Sequence, residues 1–550
     1  MFKKPSLNNE GFLIGINNIL YTFTKNELMK KILLVLLATS TSLFSQNLSY
    51  SYSNEFETIK KHRDKGFYKF NDNEYAEVYI QKDEKDLLFQ FFDKNFQNVT
   101  KTITAEFPEF EKHPFDEGFF GVKNDFYWFF STWDRKTETE KLNALPFNKN
   151  TLKFDTKEIN LVETGRLDPN WKYHFNYSTD SSKMLVTYRV KPKERRDKLN
   201  KDIIGFNLFD NKMKKLYAAE IEMPYSEYDM NNLDYEVDSR GNIYMLTEVK
   251  INNSIDGEVD REHKNAMRYE LIRVNQKNNT LQAIKINLDN KYTSSVVLSE
   301  DLNHDIVIAG YYSDKKYSYG ADGAYIIRLE YDSNNAVKSL KTTYCEFPAE
   351  TLKAFESERT KKKMEKKDKD DNLEASNLTF RKLVFYPDGS IMIVGEEYYM
   401  VTNTYYNGKT TTTTYTYYYN DILVLKADKD GKTIWCNKIP KSQIGSGYAD
   451  LSFHHHSYKG EDFFFYLDNA KNIDLPLTEA PATHRAGAGG YLTCVKIDKV
   501  GKMTKRSVFD IREEKIRLFP RNFESITETL ILDRLKAGGG ESKVFKLEFK

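Results

Sequence analysis

The feature that most constrains this chain is a repeated pair of alternating apolar runs. In each pair a short turn rich in Asp, Asn, Lys and Gly joins the two runs, and alternation across such a turn predicts a β-hairpin. A second hairpin precedes most copies, so the repeating unit is predicted to hold four antiparallel strands. Full copies begin at Asp86, Lys141, Ile203, Tyr269, Ala324, Asp421 and Tyr491, and a half copy begins at Ser542.

Four-stranded units that recur every 51–97 residues predict an all-β chain folded as a β-propeller of four-stranded antiparallel blades. Counting the units favours eight blades, with seven as the alternative because the first three units are degenerate. The eighth unit lacks its outer strand, and "SYSYSNEFETIKKH" near the N-terminus is expected to supply it and close the ring. An aromatic content of 14% also favours strands.

The N-terminal region predicts export. "MKKILLVLLATSTSLFSQ" from Met29 has a basic start, a short apolar run and a small residue before Gln46, as secretory signal peptides do. The apolar run is short for a bilayer, so no membrane span is expected after signal removal. We divide the chain into a misassigned upstream extension at 1–28, a signal peptide at 29–45 and one propeller domain at 46–550. The expected location is periplasmic or extracellular.

Charge and cysteine content argue against several function classes. The formal net charge is +1, and residues 46–550 hold 77 basic and 79 acidic residues, so binding to nucleic acid is not expected. Cys345, Cys436 and Cys494 lie in strand-like runs and are expected to be buried free thiols, with a disulfide as the alternative in an exported protein. No Cys-x-x-Cys pair occurs in the sequence, so it gives no sign of a zinc site of that kind.

The long connections of the repeat are predicted to share one face. These long connections join the second and third strands of the units, whereas the turns within each hairpin are short. Up-and-down connectivity puts the long connections on the same face as the connection at 346–376. We call this the top face. Long loops on a rigid scaffold usually carry function, although drift in unconstrained loops is the alternative. A charged arm at 354–376 is expected to continue from a short helix as a solvated or disordered segment.

The stretch "TNTYYNGKTTTTTYTYYYND" from Thr402 predicts a β-ribbon at 398–419 within the sixth unit. Asn-Gly at 407–408 is typical of a two-residue hairpin turn, which would put Tyr406 opposite Lys409 and Tyr405 opposite Thr410. Neither face is apolar throughout, so stability would come from Tyr–Thr and Thr–Thr pairs worth roughly 0.2–1 kcal/mol each. The ribbon is expected to project toward solvent or to fold over the top face.

The leading functional hypothesis is a binding module that recognises a protein or a glycan through the top face. Trp133 and Asp134 suit stacking and hydrogen bonding with a sugar, with loop packing as the alternative. The alternatives are a hydrolase or lyase acting on a carbohydrate, and a structural component of a cell-surface assembly. No cofactor is predicted. The residues predicted to bind are Tyr405, Tyr406, Tyr415, Trp133, Asp134, Tyr317, Tyr319, His484 and Arg485.

His454 and His456 are weak candidates for a metal site. Strand alternation puts both on one face of "FHHHSY", and such a pair is able to chelate zinc or copper. No third ligand is apparent in the sequence, so a polar strand end is the favoured interpretation and no metal is predicted. "DKDGK" from Asp428 looks like the start of a calcium loop, but Ile439 occupies the twelfth position, where an acid is needed.

The repeats resemble secreted bacterial β-propeller proteins, and the Ser-Gln junction at 45–46 is similar to that of Bacteroidota signal peptides. "ADKDGKTIWCNKI" from Ala427 also resembles the turn-plus-tryptophan segment of quinoprotein-type blades, in which the Trp packs between neighbouring blades. Asp430, Gly431, Lys432 and Trp435 carry that match, and they do so in one unit only. The resemblance therefore implies architecture and no cofactor.

Overall fold

The computed structural model describes residues 48–550, except 82–84, 170–171, 193–199, 251–266, 316–317, 319, 333–336, 370–372 and 448–450. The upstream extension at 1–28 and the signal peptide at 29–45 lie outside the described residues. No helix in the described part of the chain is long and apolar enough to cross a membrane.

Strands dominate the first half of the chain. Apolar side chains bury both faces of the inner strands, whereas the outer strands alternate between more and less exposed residues. The strands begin with β1 (Leu48–Tyr52) and β2 (Phe56–Glu57). Sheet 1 holds β3 (His62–Lys69), β4 (Tyr75–Gln81), β5 (Asp86–Phe92) and β6 (Val99–Glu106). Sheet 2 holds β7 (Phe115–Val122), β8 (Asp125–Asp134), β9 (Thr139–Asn148), β10 (Lys153–Phe154) and β11 (Ile159–Thr164). Sheet 3 holds β12 (His174–Tyr177), β13 (Lys183–Arg189), β14 (Lys201–Asp210) and β15 (Lys215–Ser226). Sheet 4 holds β16 (Met230–Val237), β17 (Ile243–Lys250), β18 (Met267–Asn275) and β19 (Thr280–Ile286).

The second half continues the pattern with insertions. Sheet 5 holds β20 (Tyr292–Glu300), β21 (Ile306–Ser313), β23 (Gly323–Tyr331) and β24 (Val337–Glu346), with β22 (Gly320–Ala321) beside it. After α1 (Ala349–Lys353), α2 (Glu358–Lys369) and β25 (Ala375–Ser376), sheet 6 holds β26 (Leu378–Phe385), β27 (Ile391–Tyr406), β28 (Thr411–Ala427), β29 (Thr433–Ile439), β30 (Gln443–Gly445) and, further on, β33 (His484–Arg485). Sheet 7 holds β31 (Phe453–Tyr458), β32 (Glu461–Asp468), β34 (Tyr491–Ile497) and β35 (Met503–Asp510). Sheet 8 holds β36 (Glu524–Thr527), β37 (Leu530–Gly538) and β38 (Glu541–Phe549). Short 3₁₀ turns lie at Ala470–Asn472 and Pro520–Asn522.

The N-terminal strand completes sheet 8, as the sequence predicts. β1 pairs antiparallel with β38, from Leu48 opposite Phe549 to Tyr52 opposite Phe545. Tyr50 lies 4.5 Å from Phe509 between ring centroids, so the strand also packs against sheet 7. The first and last strands of the domain are therefore held in one sheet.

The core is divided into clusters that each join two consecutive sheets. In the described residues eight such clusters run from sheets 1 and 2 round to sheets 8 and 1. The last of them joins Phe67 and Phe92 to Leu532 and Val544. Sheets of four antiparallel strands that pack face to face in a closed order form a β-propeller. The clusters therefore fit the predicted β-propeller of four-stranded sheets, and the number of blades stays a prediction.

Trp435 lies where the quinoprotein-type resemblance places it. Its ring packs between sheets 6 and 7, and Gly501 of sheet 7 approaches it so closely that a methyl group there would overlap the indole. The three cysteines are free, with Cys345 and Cys494 buried and Cys436 half-buried. The prediction of free thiols is confirmed, and that of full burial holds for two of the three.

Candidate functional site on sheet 6

β27 and β28 are much longer than the other strands of their sheet, and their distal halves form the ribbon. Their proximal halves are buried in sheet 6, whereas every residue at 400–415 is exposed. The sequence changes accordingly from "IMIVG" to a run of Tyr, Thr and Asn that has no aliphatic face to bury. The ribbon therefore projects away from the blade into solvent.

The predicted register of the ribbon is wrong by two residues. Tyr406 lies opposite Thr411 and Tyr405 opposite Thr412, so four residues at 407–410 form the loop. The predicted two-residue turn needs positive φ at both central positions. Only Gly408 has it (φ 87°), while the Asn407 side chain accepts hydrogen bonds from the backbone N–H groups of Lys409 and Thr410. An even shift leaves each side chain on its expected face.

Exposed apolar side chains are concentrated on the ribbon. Of the thirteen large hydrophobic residues exposed in the described chain, five lie there. Tyr405 and Tyr406 are 69% and 63% exposed, so most of each ring contacts water. The five residues are Met400, Val401, Tyr405, Tyr406 and Tyr415.

A buried ion pair holds the base of the ribbon. Glu396 and Lys441 approach to 2.8 Å, and each side chain is at most 1% exposed. The Lys441 ammonium also donates to the carbonyl of Tyr419 at 2.8 Å, on the opposite strand. Arg381 and the hydroxyl of Ser452 donate to the other oxygen of Glu396. Each carboxylate oxygen of Glu396 therefore lies against a cation within the protein.

The charged arm is more ordered than its composition predicts. Residues 358–369 form α2, which the sequence analysis placed in a solvated or disordered segment. Ser357 caps the helix by accepting from the N–H of Thr360, and Lys353 pairs with Asp368 at 2.7 Å. Beyond α2, Glu374 accepts hydrogen bonds from Ser313 and Ser318 of sheet 5. The helix is solvated, Lys353 ties it to α1, and Glu374 ties the arm to the propeller.

A cavity of about 330 Å³ lies between the arm and the top of sheet 6. The arm contributes apolar side chains and the exposed lysines of one face of α2, and β27, β28 and β29 contribute charged groups. Most of the lining is apolar surface, which is typical of small-molecule sites. The lining includes Leu352, Met364, Leu378, Glu356, Glu397, Asp421 and Lys438.

Two carboxylates hold the ammonium of Lys438 in this cavity, and a third, that of Glu397, lines it. Lys438 lies 2.9 Å from Glu356 and 3.1 Å from Asp421, and it donates to the carbonyls of Leu352 and Ala354. Burial alone would lower the pKa of Lys438, but the two carboxylates outweigh it and raise the pKa. Burial raises the pKa of Asp421, although Lys438 opposes this.

Glu397 forms no ion pair in the described part of the chain, although the charge of Lys438 and a hydrogen bond with Asn420 lower its pKa. It lies at a bulge between β27 and β28, where the register shifts. Burial, followed by the charge of Asp421, raises the pKa of Glu397 to about 7. A carboxyl that titrates near neutrality and lines a cavity is a functional-site candidate on physical grounds.

Raising the pH from about 5 to about 8 is expected to destabilise the wild-type protein more than the Glu397→Gln variant. A carboxyl with a folded pKa of about 7 and an unfolded pKa of 4.5 contributes stability that is complete below the lower value and lost as the pH rises through the upper one. The loss is about 1–3 kcal/mol, because Glu397 is only half-buried. Thermal unfolding midpoints at both pH values measure it, and equal pH dependence in the two proteins would contradict the assignment.

Trp133 and Asp134 lie at the end of β8 in a tight hairpin with β9 rather than on an open loop. Trp133 is half-buried, and Asp134 borders an open cleft of about 680 Å³ in which Phe110 and Lys112 face it from the connection after sheet 1. A hydrogen bond from Lys112 lowers the pKa of Asp134 to about 2. The carboxylate is therefore already paired.

The other predicted binding residues fall into three groups. The ribbon tyrosines are exposed, as a binding role requires. Arg485 is exposed, but His484 is only 2% exposed, because β33 pairs in parallel with β30 and carries it inward. The surface role predicted for His484 is therefore wrong. Tyr317 and Tyr319 lie outside the described residues.

The histidine pair makes structural contacts with sheet 8. His454 and His456 both lie within hydrogen-bond distance of the Ser525 hydroxyl, at 3.0 and 2.9 Å, and His456 also meets the carbonyl of Glu528. Burial lowers the pKa of His454 to about 3. Within the described ranges no group of three or more His, Cys, Asp or Glu residues is arranged to hold a metal.

Glu397, Asp421 and Lys438 are functional candidates that the sequence pattern did not predict. A signal was present, because two acidic residues, Glu396 and Glu397, interrupt the apolar run of β27 just before the ribbon begins. A strand that carries adjacent charges must bury one of them or bulge, and here it does both. Nothing comparable in the sequence indicated that the arm lines a cavity, since its composition is that of a solvated segment.

No family model and no curated protein matches the sequence significantly. Solved structures with similar folds include a prolyl endopeptidase, with 6% identity and a TM-score of 0.37, in an alignment that covers 90% of this chain and 55% of the other. The β-propeller domain of the trilobed protease of Pyrococcus furiosus has 12% identity and a TM-score of 0.31, with 83% and 97% covered. An oligogalacturonate lyase in complex with manganese has 8% identity and a TM-score of 0.32, with 92% and 98% covered. The chain thus spans about half of the endopeptidase, and similarity at this level says nothing about activity.

Proposed function

We propose that the protein is a binding module whose ribbon holds a protein partner on the top face. The observation that carries the proposal is the run of exposed residues at 400–415, with five large apolar side chains among them. The register puts Met400, Tyr406 and Tyr415 on one face of the ribbon and Val401 and Tyr405 on the other. Exposed apolar side chains gathered on one element in this way mark interaction sites. Tyrosine in particular supplies contact area and a hydrogen-bonding hydroxyl at low entropic cost.

The free edges of the ribbon favour a protein over a glycan. β28 pairs with β30 only at residues 417–419, so in the described chain the distal parts of β27 and β28 pair only with each other. Unpaired backbone N–H and C=O groups are templates for strand addition by an extended peptide. A two-stranded ribbon without a core is marginally stable in water, so a partner would also stabilise it.

Export and a role in a cell-surface assembly belong to the same proposal. An exported propeller with a projecting ribbon would meet partners in the periplasm or outside the cell. A glycan that stacks on the ribbon tyrosines is the other ligand class compatible with this surface.

Replacing residues 402–415 by Asn-Gly is expected to abolish partner capture while leaving the propeller folded. The replacement joins Val401 to Thr416, which already lie opposite each other, so the register of the remaining ribbon is kept. A second variant, in which Tyr405, Tyr406 and Tyr415 become Ser, keeps the backbone and removes the exposed rings. Affinity capture from the source cells, with thermal midpoints as the folding control, measures the effect.

Full retention of partners by both variants would overturn the proposal. Loss in the shortened variant and retention in the triple serine variant would indicate recognition through the strand edges alone. Binding confined to a glycan array would assign the ribbon to the glycan class.

A hydrolase or lyase acting on a carbohydrate is the second candidate function. The observation that favours it is Glu397, whose pKa of about 7 suits a general acid, next to the carboxylate of Asp421 in an open cavity. Conversion of an oligosaccharide by the wild-type protein but not by Glu397→Gln would support this candidate. Turnover that survives the substitution would remove it.

A further inference from the structure

The cavity under the arm separates its apolar and charged groups. Leu352, Met364 and Leu378 present aliphatic side chains, while the carboxylates project from β27, β28 and the segment between the two helices. Such a division suits a ligand with one charged end and an apolar body. The volume of about 330 Å³ admits a small molecule, a single side chain or the end of a longer ligand.

The hydrogen-bonding capacity of Lys438 is used within the protein. Its ammonium has three protons and already faces two carboxylates and two carbonyls. Asp421 additionally accepts from the backbone N–H of Lys441 at 2.9 Å. Among the described residues no lysine or arginine forms an ion pair with Glu397, so the interior carries an excess of negative charge.

The charged side chains at the rim of the cavity are either paired or exposed to solvent. Glu374 is held by Ser313 and Ser318, and the Lys315 ammonium lies 4.0 Å from it. Lys363 and Lys367 of α2 line the opening and are exposed. Solvent screens these two lysines, so their repulsion of an entering cation is weak.

We propose that this cavity binds an organic ammonium ion, with its charge on the Glu397 carboxylate and its alkyl chain against Leu352, Met364 and Leu378. Charge complementarity carries the inference, because the interior holds three carboxylates and one fully engaged ammonium. With all three carboxylates ionised, Lys438 offsets one negative charge and two remain, and a bound ammonium ion is the simplest group that offsets the one on Glu397. The site lies beneath the arm, so it is separate from the ribbon surface and does not depend on the proposed binding function. It shares Glu397 with the hydrolase or lyase candidate, but amine binding is measured without turnover.

The ammonium is either that of a free amine or that of a lysine side chain in a peptide. Both offer the same head group and a similar alkyl chain. Hexylamine serves as the free probe, and Nα-acetyl-lysine amide as the peptide-like one. The probe that binds more tightly indicates whether the natural ligand is a free amine or a lysine side chain. The proposal requires that at least one of the two probes binds.

The test is calorimetric titration of the protein with hexylamine, hexan-1-ol and hexanoate. We expect hexylamine to bind about tenfold or more tighter than the other two, as one charge-assisted hydrogen bond allows. Glu397→Gln should remove that preference. Glu350→Gln is the matched control, because Glu350 is an exposed acid of α1 whose partner is Lys353 of the same helix, and it should bind like the wild type.

The pH dependence of the wild-type protein provides a readout that needs no variant. Burial raises the pKa of Glu397 to about 7, so hexylamine affinity should rise several-fold between about pH 6 and about pH 8 as this carboxyl loses its proton. Equal affinities for the amine and the alcohol, unchanged amine binding in Glu397→Gln, or no saturable binding of either ammonium probe would each overturn the proposal.

Discussion

Replacing Glu396 by glutamine is expected to lower the free energy of unfolding by about 3–5 kcal/mol, the cost of leaving a buried charge without its counter-ion. The Lys441 ammonium is 1% exposed and would keep only neutral acceptors, the carbonyl of Tyr419 at 2.8 Å and the side-chain oxygen of Gln443 at 3.2 Å. Arg381 would lose its carboxylate as well. The shift of the denaturant midpoint at constant slope measures the loss.

The double variant Glu396→Gln with Lys441→Met is expected to recover much of that loss. It removes both charges, and a buried ion pair exchanged for neutral groups of similar size is often close to neutral in stability. Glu461→Gln is the control, because Glu461 pairs with Lys496 at 3.0 Å in a more exposed setting and should cost at most about 1 kcal/mol. A Glu396→Gln effect no larger than that of the control would contradict the expected cost.

Removal of β1 is expected to have the second large effect on the free energy of unfolding. A chain that begins at Asn54 loses Leu48, which is 4% exposed, and the rings of Tyr50 and Tyr52, which pack on Phe509 and Phe545. At roughly 1.5–3 kcal/mol for each large side chain buried, we expect a loss of about 5 kcal/mol. The outer edge of β38 would also lose its five paired residues and become free to associate with other chains.

The control for this deletion is a chain that begins at Gln46. It lacks only the predicted extension and signal peptide, and it keeps β1. Denaturant midpoints and light scattering of the two proteins measure stability and association. If the shorter chain matched the longer one in both, β1 would not contribute to closing the ring.

Closure of the ring was predictable because it depends on local patterns. "SYSYS" alternates with period two, and the last unit of the sequence lacks one strand, so the missing partner was identifiable from either end. The register of the ribbon depended on side-chain hydrogen bonds in its loop. "YNGK" contains a typical two-residue turn signal, but the Asn407 side chain binds the following backbone N–H groups and stabilises a four-residue loop instead.

The candidate site was predictable from the sequence only in part. The exposed ribbon tyrosines were predictable, because a run of Tyr and Thr without aliphatic residues has nothing to bury. The pair Glu396 and Glu397 stands out in the sequence of β27, but the raised pKa of Glu397 was not predictable, since a glutamate in a strand gives no sign of whether its neighbours are cations or other carboxylates. Its environment is set by Asp421 from the next strand and by an arm that starts about forty residues earlier.

The sequence by itself determined the strands, the propeller order, the place of the ribbon and its exposed side chains. Period-two alternation is enough for these features, because burial of one strand face is a local requirement. Only the tertiary structure decided which charges are paired, that His484 is buried, and that α2 covers a cavity with an unbalanced carboxylate. These properties depend on distances between side chains far apart in the chain, and a charge is raised or lowered in energy by the groups that folding brings within a few ångströms of it.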